Sequence, residues 1–147
     1  MKVLVTGATG FVGTQIVRSL SESGHTVRIF ARNELSPKVR SLVPEFSTEL
    51  ACGDILDPPS LKNAMVGVEA VIHLVGIISE VGKNTFENVH AIGTRNVVEA
   101  ANAAGMKCVA VRFVGHHPAE ALRAAGADRI VESLADIAAA DVRQLLR

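Results

Sequence analysis

Residues 1–13 read MKVLVTGATGFVG. A short apolar run, Lys2–Thr6, passes straight into the turn Thr6-Gly7-Ala8-Thr9-Gly10-Phe11-Val12-Gly13, and an amphipathic segment, Phe11–Ser23, follows. Glycines placed between a strand and a helix in this way each have a physical use. Gly7 permits the tight turn out of the strand. Gly10 has no side chain, so an anionic group can approach the start of the helix. Gly13 lets the helix pack closely on the sheet. The free N–H groups and the dipole at the helix N-terminus favour an anion, and a pyrophosphate fits that opening. The competing reading is a tight turn with no ligand.

Outward from this turn, short apolar runs alternate with helix-length amphipathic segments. The runs are Lys2–Thr6, Thr26–Ala31, Ser47–Cys52, Ala70–Val75, Lys107–Phe113 and Arg129–Val131. The helical segments are Phe11–Ser23, Pro37–Val43, Pro59–Met65, Phe86–Ala104, Pro118–Ala125 and Ser133–Leu146. Apolar runs of this kind are strands buried on both faces, as in parallel sheets. Strict β–α alternation implies right-handed crossovers. The expectation is α/β: one three-layer Rossmann-like sandwich over 1–147, with a parallel sheet of about six strands in the order 3-2-1-4-5-6 and a crevice between the first and fourth strands. Gly24, Gly105 and Gly126 punctuate helix ends. Pro58 and Pro59 open the third helix, with Asp57 as its N-cap. Ile77–Thr85 is the most loop-like stretch and a candidate lid.

Composition narrows the function classes. The 147 residues fit one domain, and 48% hydrophobic content can bury a core. Lys and Arg balance Asp and Glu at net +0, so nothing favours nucleic acid or an anionic membrane surface. No apolar run reaches the roughly 18 residues of a membrane helix, and glycines interrupt the N-terminal apolar stretch too early for a signal peptide. Cys52 and Cys108 have no metal spacing, so no metal site is expected and a reduced, cytoplasmic protein is the simplest reading. The chain has no Tyr and no Trp.

Next come the residues that would choose a dinucleotide. In such sites an acidic residue at the end of the second strand commonly binds the ribose 2′-hydroxyl. Here that place reads Phe30-Ala31-Arg32-Asn33, with no carboxylate. Arg32 offers a planar cation suited to a 2′-phosphate, which favours NADP over the alternative, NAD; the other reading of Arg32 is a solvated surface charge. Arg28 is less well placed. The third strand ends Cys52-Gly53-Asp54-Ile55-Leu56-Asp57, where Asp54 can accept the adenine amino hydrogen. The fourth run ends His73-Leu74-Val75-Gly76, where Gly76 lets backbone approach a ribose and His73 reads as a buried, hydrogen-bonded histidine.

With these residues in place, TGATGFVG, GDILD, VIHLVGIISE and TFENVHAIGTRNVVEAANAAG together resemble the extended or atypical short-chain dehydrogenase/reductases. Within these the resemblance is to the NAD(P)-binding accessory subunit of respiratory complex I and its bacterial relatives, over about Met1–Gly105. The resemblance implies cofactor contacts at Gly7, Thr9, Gly10, Phe11, Val12 and Gly13. It also implies Arg32 near the adenosine phosphate, Asp54 and Ile55 at adenine, and Leu74, Val75 and Gly76 beside the ribose. His90 stands where many relatives carry Asn. Those enzymes use a Tyr-x-x-x-Lys helix to move the proton during hydride transfer, and this chain has no Tyr. From about residue 98 to 147, AANAAGMKCVAV and HPAEALRAAGADRIVESLADI resemble the C-terminal end of haloacid-dehalogenase-like phosphatases, without that family's Asp-x-Asp nucleophile. The expectation is therefore a chimera, engineered or recombined, whose tail from Met106 adds two strand–helix units. On this reading it is an NAD(P)-binding domain without a complete catalytic apparatus and with no catalytic residue to name. Two alternatives stand beside it: an atypical short-chain NADP(H)-dependent oxidoreductase using His90 or His116, and a folded scaffold with no ligand. His116 and His117 read first as the turn entering the fifth helix.

Overall fold

A computed structural model describes residues 1–111, 119–133 and 136. The chain divides into two compact units, Met1–Ala100 and Ala101–Arg147.

In the first unit the glycine turn stands where the sequence puts it. Strand β1 (Lys2–Thr6) leads through it into helix α1 (Phe11–Glu22). Then come β2 (Thr26–Ala31), α2 (Pro37–Glu45), β3 (Glu49–Cys52), α3 (Pro58–Ala64) and β4 (Ala70–His73). A π-helical segment, Glu87–Gly93, runs into α4 (Thr94–Ala103). The four strands form one parallel sheet in the order β3-β2-β1-β4.

Alternation along the strands decides what covers each face. Val3 and Val5 of β1 lie level with Val27 and Ile29 of β2, and all four are buried in one cluster with Val17 of α1 and Leu42 of α2. Leu4 and Thr6 point the other way, level with Arg28 and with Val71 and His73. That face meets α3 and α4: Arg28 donates to the Ala64 carbonyl at 2.7 Å, and His73 bonds to Thr94. Leu4, Val5 and Ile29 are fully buried, and each such side chain contributes roughly 1.5–3 kcal/mol. The result is the expected Rossmann-like α/β layering. Arg28, weighed for the cofactor, is a clamp instead: it also pairs with Glu49 at 2.7 Å and bonds the Val66 carbonyl, tying β2 to β3 and the end of α3.

In the second unit, β5 (Val109–Val111) and β6 (Arg129–Val131) pair in parallel, with α5 (Ala119–Ala124) between them in sequence. The Asp128 carboxylate accepts the Cys108 N–H at 2.8 Å and pairs with Lys107 at 3.2 Å.

Several expectations need correction. Among the described residues the strand count is met only in part: four strands pair in the order 3-2-1-4, and β5 and β6 pair with each other. Strand β3 starts at Glu49, not Ser47, because Ser47 (φ 51°) and the bond from the Thr48 N–H to the Val43 carbonyl close α2. Strand β4 stops at His73, because β1 has already turned away at Gly7 and only the Leu74 N–H still reaches Thr6. Asp57 occupies the N-cap of α3, but its side chain makes no capping bond; its backbone carbonyl accepts the Ser60 hydroxyl at 2.8 Å. Arg112, Phe113, His116, His117, Pro118, Leu134, Ile137 and Leu145, with most of the predicted last helix, lie outside the described residues.

Candidate functional site

At the carboxyl ends of β1 to β4 a cleft of about 340 Å³ opens. The turn after β1 contributes Gly7, Thr9 and Gly10. The end of β2 contributes Ala31 and Arg32, the end of β3 contributes Gly53 to Leu56, and the exit of β4 contributes Leu74 to Ile77. The sheet therefore gathers Gly7, Thr9, Gly10, Arg32, Asp54, Ile55, Leu74, Val75 and Gly76 around one space.

The remaining three predicted residues stand elsewhere. Phe11 and Val12 project to solvent, 89% and 57% exposed, and their side chains do not line the cleft; only their backbone N–H groups belong to the helix opening. Gly13 is buried. A Cβ there would overlap the Gly7 carbonyl oxygen and stand 2.7 Å from the Ala8 Cα, so Gly13 allows α1 to seat on the turn. The turn is braced by Thr14, whose hydroxyl donates to the Gly10 carbonyl at 3.0 Å, and by Lys38, whose ammonium bonds the Thr9 carbonyl at 3.1 Å. The first-turn N–H groups of a helix have no intrahelical acceptor, and in α1 no side chain caps them either.

At the other end of the cleft, Asp54 sits half-buried among donors. One carboxylate oxygen accepts the Leu56 N–H at 3.1 Å, and the other pairs with Lys83 at 3.1 Å. Partial burial pushes the Asp54 pKa up, but the Leu56 N–H, Lys83 and the nearby Arg32 together hold it below the usual carboxylate range. Arg32 donates to the Asn84 side-chain carbonyl at 3.2 Å. The stretch read as a lid, Ile77–Thr85, is thus pinned across this end through Lys83 and Asn84. Ile55 is 6% exposed; it lines the cleft and packs against Gly93 of the π-helical segment, and Asn96 holds its carbonyl at 2.9 Å.

His73 is the buried histidine the sequence suggests. Its Nδ1 is 2.7 Å from the Thr6 hydroxyl and its Nε2 is 3.1 Å from the Thr94 hydroxyl, which joins β1, β4 and α4. Burial lowers its pKa from 6.5 to about 4. The folded state therefore resists a proton that the unfolded chain takes up below pH about 6.5. Stability is expected to fall as pH drops from about 6.5 to about 4, by up to about 3 kcal/mol, and to change no further on this account at lower pH. Urea titrations across that range check it; His73→Gln should flatten the slope between pH 6.5 and 5, above the range where the depressed carboxylates titrate. A slope unchanged in His73→Gln would assign the effect to other groups.

His90, raised as an atypical acid, has its Nε2 occupied: it accepts the Ile77 N–H at 2.8 Å and holds the chain leaving β4. Its ring lies 5.7 Å from that of Phe86. The sequence reading missed Asn33, Ser36 and Asn84, which line the cleft, and Lys83 at its rim. Asn33 follows Arg32 directly and Ser36 opens the next helix, and polar residues just after a strand that ends at a crevice are the signal that points to them. Among the described residues no group of three His, Cys, Asp or Glu side chains could hold a metal ion, and no helix is long and apolar enough to cross a membrane.

Comparison with known proteins adds a family. The sequence model of the 3-beta hydroxysteroid dehydrogenase/isomerase family matches residues 4–112. A ceramide reductase of Caulobacter vibrioides is 34% identical over 109 residues, covering 74% of this chain and 33% of its own length. A 2-alkyl-3-oxoalkanoate reductase of Stenotrophomonas maltophilia is 33% identical over 137 residues, covering 88% of this chain and 39% of its own. Among solved structures, a short-chain dehydrogenase/reductase superfamily protein of Agrobacterium tumefaciens with bound NAD superposes with a TM-score of 0.60 at 32% identity, covering 76% of this chain and 33% of that one. The chain spans about a third of the length of the curated relatives it matches.

Proposed function

The chain belongs to the 3-beta hydroxysteroid dehydrogenase/isomerase family, and on that premise we propose that it is the dinucleotide-binding part of an NAD(P)-dependent reductase or dehydrogenase. One observation carries this: the cleft brings the uncapped N-terminus of α1, Arg32, Asp54 and the Leu74–Gly76 backbone to a single space. The space fits the group. At Gly10 a Cβ would meet only the Gly7 carbonyl oxygen, at 3.2 Å, so the helix opening is clear.

In this reading the backbone around Gly10, Phe11 and Val12 holds a pyrophosphate. Asp54 and Ile55 flank adenine, and Leu74, Val75 and Gly76 line the ribose. Gly7, Thr9 and Gly13 shape the turn. A bound nicotinamide would supply the hydride acceptor or donor. His73, Thr6 and Thr94 tie the ends of β1 and β4 to α4. No residue of this chain is assigned to proton transfer or to the substrate. Reductase names among the relatives favour a working oxidoreductase over a scaffold without a ligand. A two-source origin of the chain draws no support from these matches, since the family match continues past Gly105 to residue 112. The site itself rests on Met1–Ala100.

NADP over NAD is supported by Arg32, a cation at the end of β2 where a ribose-binding carboxylate would otherwise stand. A charge-assisted contact of this kind is worth roughly 1.5–3 kcal/mol. Titration of the purified chain with NADPH and NADH, followed by nicotinamide fluorescence, is expected to show binding of both with NADPH tighter by about tenfold or more. Arg32→Asp should reverse the order. No response to either cofactor would defeat the reading, and an unchanged NADPH/NADH ratio in Arg32→Asp would remove Arg32 from cofactor choice.

A further inference from the structure

Two cations and one carboxylate meet at the rim of the cleft. Lys83 pairs with Asp54 at 3.1 Å, and its side chain is 70% exposed. The charge of Arg32 also acts on Asp54. Asn84, the residue next to Lys83, takes the Arg32 guanidinium at 3.2 Å. Consecutive Cα atoms stand about 3.8 Å apart, so Lys83 reaches Asp54 from a position already beside Arg32. The loop is fixed at this place by its own bonds: Val81 and Asn84 bridge each other, and the Asn88 amide holds the Lys83 carbonyl at 2.8 Å.

Both oxygens of Asp54 are engaged, one by the Leu56 N–H and one by Lys83. An adenine amino group at Asp54 would share that carboxylate with Lys83, and a phosphate at Arg32 would meet the guanidinium donors that Asn84 leaves open. An exposed ammonium beside an arginine adds a second positive charge for such a phosphate, and its flexible stem lets it leave a carboxylate that another donor has reached.

We propose that Lys83 is a second specificity-determining residue for the 2′-phosphate, moving from Asp54 to the phosphate held by Arg32 when the ligand enters. This rests on the dinucleotide reading above. The loop then acts as a reader of the cofactor. Lys83 acts as a point charge on a flexible stem, so it can make this exchange without a change in the β2 end that carries Arg32.

The test uses two fragments of the cofactor, adenosine 2′,5′-bisphosphate and 5′-AMP, titrated calorimetrically into the full chain and into Lys83→Gln, Lys83→Arg and Arg32→Gln. Loss of one charge-assisted contact corresponds to about tenfold in affinity. Lys83→Gln is expected to weaken the bisphosphate about tenfold and to leave 5′-AMP unchanged or slightly tighter, since Asp54 is released. Lys83→Arg should restore the preference. Equal loss of both ligands, or no loss of either, in Lys83→Gln overturns the proposal. If Arg32→Gln abolishes discrimination while Lys83→Gln leaves it intact, the NADP reading stands and only the role of Lys83 falls. If the native chain binds neither fragment, the dinucleotide reading fails and takes this one with it. Lys83 is exposed, so folding of its variants should be native, and coincident melting curves verify that.

Discussion

Gly10→Val is expected to abolish dinucleotide binding while leaving the fold almost intact. Gly10 has φ −76° and ψ 171°, an extended conformation that valine adopts readily. A Cβ there meets one atom, the Gly7 carbonyl oxygen at 3.2 Å. The cost to folding should be about 1 kcal/mol, chiefly the poorer N-cap. The branched methyl groups, however, stand in front of the α1 N–H groups. Two lost charge-assisted contacts to a pyrophosphate correspond to roughly 3–6 kcal/mol, a hundredfold or more in affinity. Fluorescence titration beside a thermal melt checks both halves. A valine variant that still binds NADPH within threefold of the native chain would show that the ligand does not use this helix opening.

Gly13→Ala should do the reverse and strike the fold first. The added methyl would overlap the Gly7 carbonyl oxygen and press on the Ala8 backbone at 2.7 Å. These are backbone atoms at the centre of the turn and cannot swing aside as a side chain would. Seating the methyl requires α1 to lift from β1, which loosens Val17 from Val3 and Val5. Overpacking of this kind costs about 3 kcal/mol, a large share of a domain stability of about 5–15 kcal/mol. The midpoint of thermal unfolding should fall by roughly 10 °C. A melting curve that overlays the native one would mean that the turn relaxes around the methyl. The two glycines lie three residues apart, and one serves the ligand while the other serves the packing.

The bounds of β1 and β2 were legible because each run is mostly apolar, Arg28 apart, and gives way to a clear change of composition, Gly7 after β1 and Arg32-Asn33 after β2. Ser47 misled because its own type says little about conformation; the φ of 51° comes from closing α2, a matter of helix geometry two residues away. The wide winding at Glu87–Gly93 was invisible because its apolar positions also fit an ordinary helix. The pairing of β5 with β6 was hidden for a different reason: an apolar run shows that a strand will be buried, not which neighbour it pairs with. In the site, glycines, strand ends and Arg32 could be located from spacing alone. The engagement of Asp54 by Lys83, and of Arg32 by Asn84, depends on a loop coming back across some fifty residues of sequence from Arg32, about the separation of Arg32 and Asn84, and no local pattern records it.

The π-helical segment also fixes an angular phase. His90 on its near side reaches the Ile77 N–H, and Val97 in α4 faces the core. A helical residue turns the chain by about 100° about the axis, and a π-helical turn holds a residue more than an α-turn does. Both residues therefore face their targets only while the wider turn takes up that surplus. Rewinding the segment as an ordinary α-helix at the same length would add about 100°, about a quarter turn, between α4 and the chain before it. His90 would then swing off the Ile77 N–H, and that amide would become open to solvent exchange. The segment thus works as a phase compensator between core and cleft, absorbing a residue of length without passing it on as rotation.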